Sequence, residues 1–167
     1  IHGGGNDLKF PHHENEIAQN EGACGCSPSK YWLHTNMLLL NGRKMSKSEG
    51  NSISPTELMT GDSPFITKAY SPMALRYFML QAHYRSTLDI TDDELIAAEK
   101  GFKKLMESYK LLKNYELAGN FSTTSTDNDR DINQLIDEAF QGLDDDFNTA
   151  IAISKLQELG SYIHKLQ

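Results

Sequence analysis

From residue 91 onward, apolar positions recur at alternating spacings of three and four. Leu95, Ala98, Phe102, Leu105, Tyr109 and Leu112 form one stripe. Ala152, Leu156, Leu159, Ile163 and Leu166 form another. Such spacing predicts amphipathic helices with one face turned to a core. The stretch "TDDE" at 91–94 has the form of a capping box at the first helix's start. Ile132 to Phe140 predicts a shorter helix, after a polar, loop-like "GNFSTTSTDNDRD" at 119–131 and before a break at "DDDFNTA". Three helices with apolar seams and short connections predict an antiparallel bundle over 91–167.

The pattern before residue 90 is different. Short apolar runs alternate with glycine-rich turns and prolines. Residues 11–21 predict a helix with Pro11 at its first position, where a missing N–H costs nothing. "GACGCSPSK" at 22–30 predicts a loop, and "YWLHTNMLLL" at 31–40 a strand. Asn41-Gly42 then marks a tight turn. "SPTE" at 54–57 predicts a second capping box, Ser54 with Glu57. "SPMALRYFMLQAHY" at 71–84 predicts a mostly apolar helix. The expected fold is therefore α/β over 1–90, followed by an all-α region over 91–167.

Charge sharpens this division. Residues 1–90 carry eight Lys/Arg and eight Asp/Glu. Residues 91–167 carry eight and fifteen, which supplies the whole net charge of −7. An acidic balance argues against nucleic-acid binding by bulk charge and leaves only local basic patches. No apolar run approaches the roughly 20 residues of a membrane helix. Two cysteines, Cys24 and Cys26, make no disulfide framework, so a reducing cytoplasm is expected. The chain begins at Ile1, and "IHGGGND" reads as the middle of a structural unit, as in a fragment of a longer protein.

Four stretches could carry chemistry. In "FPHHENEIAQ" at 10–19, His12 and Glu16 are four apart, so a helix places them on one face. Imidazole nitrogen and carboxylate oxygen are both zinc ligands, but two ligands are half a site. On spacing alone a polar helix start, with acids complementing the helix dipole, is the better reading. The spacing of Cys24 and Cys26 is shorter than that of usual zinc pairs, and they read as ordinary loop cysteines. In "HGGGND" at 2–7, three glycines let backbone approach a ligand, and Asp7 could accept from a ribose; a tight turn explains them equally well. In "GRKMSKSEGN" at 42–51, Arg43, Lys44 and Lys47 form a mobile basic loop that could meet a triphosphate, although a solvated loop explains its charge. "DDDFN" at 144–148 could hold magnesium, but helix capping by Asp146 or Asn148 is the stronger reading.

Taken together, these pieces resemble one family. "KMSKS" at Lys44 to Ser48 is similar to the second signature of class I aminoacyl-tRNA synthetases. "IHGGGNDLKFPHHENEIAQ", then "YWLH", then "KMSKSEGN" resembles the cysteinyl-tRNA synthetase family, as do "LQAHYRSTLDIT" and "DDDFNTAIAI". The resemblance covers most of the chain, strongest over 1–90 and weakest at 119–131.

The resemblance implies the C-terminal half of a Rossmann-like catalytic domain over 1–90 and the start of the helical region leading to the anticodon over 91–167. It implies cysteine, ATP with Mg2+, and tRNA-Cys as reactants, joined through a cysteinyl-adenylate. It implies Zn2+ held by His12 and Glu16, with two cysteine ligands and the HIGH signature lying upstream in the family. Lys47 and Lys44 are implied as catalytic, stabilising charge on the phosphates. His2, Gly3, Gly4, Gly5, Asp7 and Lys47 are implied to line the ATP pocket. A cytoplasmic enzyme, monomeric at full length, is expected, and the chain by itself is expected to be inactive. Two rivals stand beside this: a related ligase joining cysteine to an amino-sugar, and a non-catalytic binding or structural module.

Overall fold

The computed structural model describes the backbone of residues 1–117 and 127–165, and their side chains except at 116–117 and 127–130. It divides into two compact units. The first takes Ile1–Ser52 and Tyr84–Ile90; the second takes Ile53–His83 and Thr91–Gln167. The change of composition at residue 90 therefore does not coincide with the division by packing, because the segment 53–83 joins the later helices.

The first unit holds two small sheets. Strands β1 (His2–Gly5) and β2 (Trp32–Thr35) pair in parallel, with His2 opposite Trp32 and Gly4 opposite His34. Strand β3 (Leu38–Leu40) lies between β4 (Arg43–Lys44), antiparallel, and β5 (Leu88–Ile90), parallel. Leu40 and Ile90 face each other across that pair at 1% and 2% exposure and form its core. Asn41 and Gly42 take φ of 52° and 75° between β3 and β4. This is the double positive φ that an Asn-Gly pair supplies cheaply, as expected.

The single strand expected over 31–40 is two strands. The break falls at Asn36, whose N–H donates to the Tyr84 carbonyl at 3.1 Å. Its side-chain amide donates to the Arg85 carbonyl at 3.0 Å, and its side-chain oxygen accepts from the Met37 N–H at 2.8 Å. Bonds to a remote segment thus redirect the chain from one sheet to the other. Helix α1 (Glu14–Cys24) follows a wider turn at Lys9–His13 that contains Pro11 and a cis Phe10–Pro11 bond. It runs through Gly22, where a loop was expected, and stops at Gly25.

The second unit is helical: α2 (Pro55–Thr60), α3 (Pro72–Leu80), α4 (Asp92–Leu117), α5 (Asp127–Asp144) and α6 (Thr149–Lys165). The Ser54–Glu57 box forms in both directions, at 3.2 Å and 2.7 Å. Those hydrogen bonds hold the Glu57 carboxyl below its ordinary pKa. The Thr91 hydroxyl accepts from the Glu94 N–H at 3.3 Å. Helix α3 ends at Leu80, short of the expected residue 84, with Gln81 as its C-cap donating to the Tyr77 and Phe78 carbonyls. It packs on α4, where Tyr77 and Phe102 ring centroids lie 5.8 Å apart. Helix α6 packs on both α4 and α5, and Lys155 reaches Glu138 at 2.8 Å.

The α4 stripe is buried only in part. Leu95 and Ala98 are each 2% exposed, whereas Tyr109 and Leu112 are exposed. Ser108 is buried in their place, facing Gly160 of α6. A small residue opposite a glycine lets the two backbones approach, which shifts the buried face by one position. Helix α5 begins at Asp127, inside the stretch expected to be loop; the rest of that stretch, 119–126, lies outside the described residues, as does Leu166. Among the described residues no helix is long and apolar enough to cross a membrane.

Candidate functional site

Parallel pairing of β1 with β2 gathers side chains that are far apart in sequence. Residues two apart on a strand share a face, so Trp32 and His34 lie together. The His2 ring sits 4.7 Å from the Trp32 ring and 4.9 Å from the His13 ring. His13 is buried, and its Nδ1 lies 2.9 Å from Nε2 of His34, so one imidazole donates to the other. Gly4 makes room for this: an added Cβ would stand 2.9 Å from Cε1 of His13. Desolvation first, then the charges of His13, Lys9, Arg85 and His2, hold His34 below the ordinary imidazole pKa.

Glu16 closes the group. Its carboxylate lies 3.4 Å from Nε2 of His2, with both side chains about a third exposed. The ligand atoms of His2, His13 and Glu16 all lie within 4.8 Å of one another. This is a set of two imidazole nitrogens and a carboxylate oxygen, which suits zinc. His12 is exposed and outside that group. Its backbone is helical and one turn before Glu16, since Phe10 alone departs from helical angles in the preceding turn. The structure therefore brings Glu16 together with His2 and His13, and leaves His12 on the solvent side.

His13, His34 and Trp32 were not singled out from the sequence. The signal was the alternation in "YWLH" with two ring-bearing residues on one face. It becomes informative only once the register against β1 is known.

The other expected residues are placed as follows. His2, Gly3, Gly4 and Gly5 form β1, and Asp7 is exposed in the turn after it. Lys44 ends β4, and Lys47 lies in the loop beyond; both are exposed. That loop is a built turn. Ser46 and Asn51 exchange backbone hydrogen bonds at 2.9 and 3.2 Å, and the Gly50 N–H donates to the Lys47 carbonyl at 3.3 Å. The Asn51 amide donates to the Lys44 carbonyl at 3.2 Å. Arg43, Lys44, Met45, Ser46 and Glu49 line a surface hollow of about 630 Å3. Two basic side chains, Arg43 and Lys44, and the Glu49 carboxylate border it.

Of the aspartates at 144–146, Asp146 pairs with His83 at 3.8 Å. Asn148 caps α6, its side-chain oxygen accepting from the Ile151 N–H at 3.3 Å.

Comparison with known proteins bears on the same residues. Cysteine–tRNA ligase of Cytophaga hutchinsonii is 51% identical over 163 residues, covering 95% of this chain and 32% of the relative. That of Bacteroides fragilis is 43% identical over 99% of this chain and 32% of the relative. That of Trichlorobacter lovleyi is 41% identical over 93% of this chain and 31% of the relative. The chain thus spans about a third of the length of the curated relatives it matches. Among solved structures, the LeuRS–tRNA–LeuAMS ternary complex from Agrobacterium radiobacter matches with a TM-score of 0.66 at 17% identity. It covers 98% of this chain and 22% of that one, and shows the fold. The family model for the tRNA synthetases class I (C) catalytic domain matches residues 1–100, the stretch that holds the imidazole group and the basic loop. More than half of the sequence falls within that match, and the chain belongs to this family of class I synthetase catalytic domains.

Proposed function

We propose that this chain is the part of a cysteine–tRNA ligase that carries the metal-holding helix and the phosphate-contacting loop. The observation that carries the reading is the convergence of His2, His13 and Glu16 ligand atoms within 4.8 Å at the start of α1. The names of the relatives agree with it. On this reading the first unit belongs to a Rossmann-like catalytic domain and the helices of the second to a bundle. The protein acts in the cytoplasm, as a monomer at full length.

The reaction joins cysteine to tRNA-Cys through a cysteinyl-adenylate. The amino-acid carboxylate attacks the α-phosphate of ATP, and pyrophosphate leaves. The carboxylate is already ionised, so no general base is needed. Lys47 and Lys44 donate to the phosphate oxygens as negative charge builds there, with Mg2+ accompanying ATP. His2, Gly3, Gly4 and Gly5 line the nucleotide pocket, and Asp7 accepts from the ribose. His12 and Glu16, one helical turn apart, would hold zinc together with ligands from outside this chain. His2, beside the Glu16 carboxylate, would orient it in the manner of an outer partner. Bound zinc supplies a soft acceptor for the substrate thiolate, which serine's hydroxyl does not match. A second arrangement, in which His2 and His13 themselves ligate with Glu16, is favoured by their proximity. Because His13 Nδ1 is committed to His34, only its Nε2 is left for a metal.

The chain is inactive alone on this reading, because other ligands and pocket walls lie beyond the matched third. The test is a chimera in which residues 1–167 replace the matched stretch of the Cytophaga hutchinsonii relative. Cysteine-dependent ATP–pyrophosphate exchange is expected, with Glu16→Ala losing zinc and cysteine affinity together. Unchanged cysteine affinity in a zinc-free Glu16→Ala chimera would contradict the zinc assignment. Transfer of cysteine to an amino-sugar in preference to tRNA would establish the rival ligase.

A further inference from the structure

Cys24 ends α1, and Cys26 follows it across a single residue. Their Sγ atoms lie 2.7 Å apart, joined by a thiol–thiol hydrogen bond. Both side chains are exposed. Gly25 creates the approach. It takes φ of 66° as the helix stops, and its N–H donates to the Glu21 carbonyl at 2.9 Å. A Cβ added there would meet nothing within 4 Å. Its left-handed backbone angle therefore matters rather than the space around it, and that angle favours glycine. The Cys24 thiol also donates to the Asn20 carbonyl at 3.0 Å, which holds the sulfur over the last turn of the helix.

From this geometry we infer that Cys24 and Cys26 form a redox-active dithiol, a modification site that closes to an intramolecular disulfide by exchange with a small-molecule disulfide such as oxidised glutathione. Nothing in the proposed ligase chemistry uses these residues. The first cysteine attacks, as thiolate, one sulfur of the small disulfide. That S–S bond breaks, a mixed disulfide forms, and one small thiolate leaves and takes up a proton. The second cysteine, as thiolate, then attacks the protein sulfur of the mixed disulfide and releases the second small thiol. Two protein thiols are oxidised and one disulfide is reduced to two thiols. The hydrogen bond with Cys24 raises the Cys26 thiol pKa. Exposed disulfides of this kind have the more oxidising potentials associated with labile, reversible use.

The test is incubation of the reduced chain with oxidised glutathione without oxygen, followed by intact mass and alkylation of the remaining thiols. The chain is expected to lose both thiols, to become lighter by two hydrogens and to retain no glutathione. Dithiothreitol is expected to reverse this. Cys24→Ser and Cys26→Ser are each expected to retain one glutathione, since neither can resolve the mixed disulfide. Replacement of Gly25 by valine is expected to slow resolution at least tenfold. A wild-type chain that keeps glutathione as the single variants do, or that oxidises only to intermolecular dimers, would overturn the inference.

Discussion

The hydroxyl of Tyr70, a residue 2% exposed, donates to the Asp92 carboxylate at 2.6 Å and so ties the segment before α3 to the first turn of α4. The same carboxylate accepts from the Thr67 hydroxyl at 2.7 Å and from its N–H at 3.1 Å. The Tyr70 bond, offset by partial desolvation and joined by the Thr67 bonds and the Lys68 charge, holds Asp92 below its ordinary pKa. Desolvation and the Asp92 bond push Tyr70 above its ordinary value of 10.0. The signs follow by linkage. A depressed carboxyl contributes stability above its unfolded pKa and loses it as the solution becomes more acid. A raised phenol contributes below its unfolded pKa and loses it as the solution becomes more alkaline. Stability to urea is therefore expected to fall as pH drops below about 4 and as it rises above about 10. Asp92→Asn is expected to flatten the acid limb and Tyr70→Phe the alkaline one, read from urea midpoints across pH.

Leu95 and Tyr109 lie on the same stripe of α4 but differ in burial, at 2% and 56% exposure. Leu95→Ala is expected to cost about 2–5 kcal/mol. Tyr109→Ala should stay within about 0.5 kcal/mol, as exposed positions do. Equilibrium urea denaturation measures both, and equal costs would show that the face of α4 was misassigned.

At α2 the capping box is formed in full, and the helix is only 6 residues long. Ser54→Ala is expected to cost about 1 kcal/mol, because the Glu57 N–H loses its acceptor. A thermal melt of the variant beside wild type checks this. Ser54→Asp should recover most of the loss.

For the metal, the two arrangements around Glu16 make opposite predictions in the chimera. If His12 ligates, His12→Ala abolishes stoichiometric zinc, while His2→Ala weakens affinity about 10–100-fold as loss of an outer partner does. If His13 ligates, His13→Ala abolishes it and His12→Ala leaves it intact. Zinc content after dialysis against a chelator of known affinity decides.

In the basic loop, Lys47→Ala is expected to lower the rate of ATP–pyrophosphate exchange by about 10²–10³, the scale of one lost transition-state donor. Lys44→Ala should have an effect of the same kind. A change confined to the KM for ATP would assign these side chains to ground-state binding instead.

Much of this was legible where the determinants are local. The Ser54–Glu57 box and the Asn41-Gly42 turn are written in four and two residues, and each formed as read. Asn36 was not legible, because what splits the strand is a hydrogen bond to Arg85. The stripe on α4 was read as uniform, but its burial depends on how closely Ser108 meets Gly160 on another helix. The imidazole group needed the β1–β2 register, which no single stretch encodes. Spacing alone left Glu16 a helix-start acid, and the family resemblance named it a zinc ligand; its meeting with His2 and His13 was in neither.

Strand β5 has one further consequence. It completes the first unit's second sheet, yet it is made only after residues 53–83, which belong elsewhere. A nascent chain that has emerged no further than Ser52 holds Leu40 without its Ile90 neighbour and β3 with one edge bare. The first unit is therefore finished only after residues 53–83 of the second have been made. Any shortened version meant to carry the imidazole group and the basic loop on a complete β4-β3-β5 sheet must extend through Ile90, and so must bring the second unit's opening helices with it.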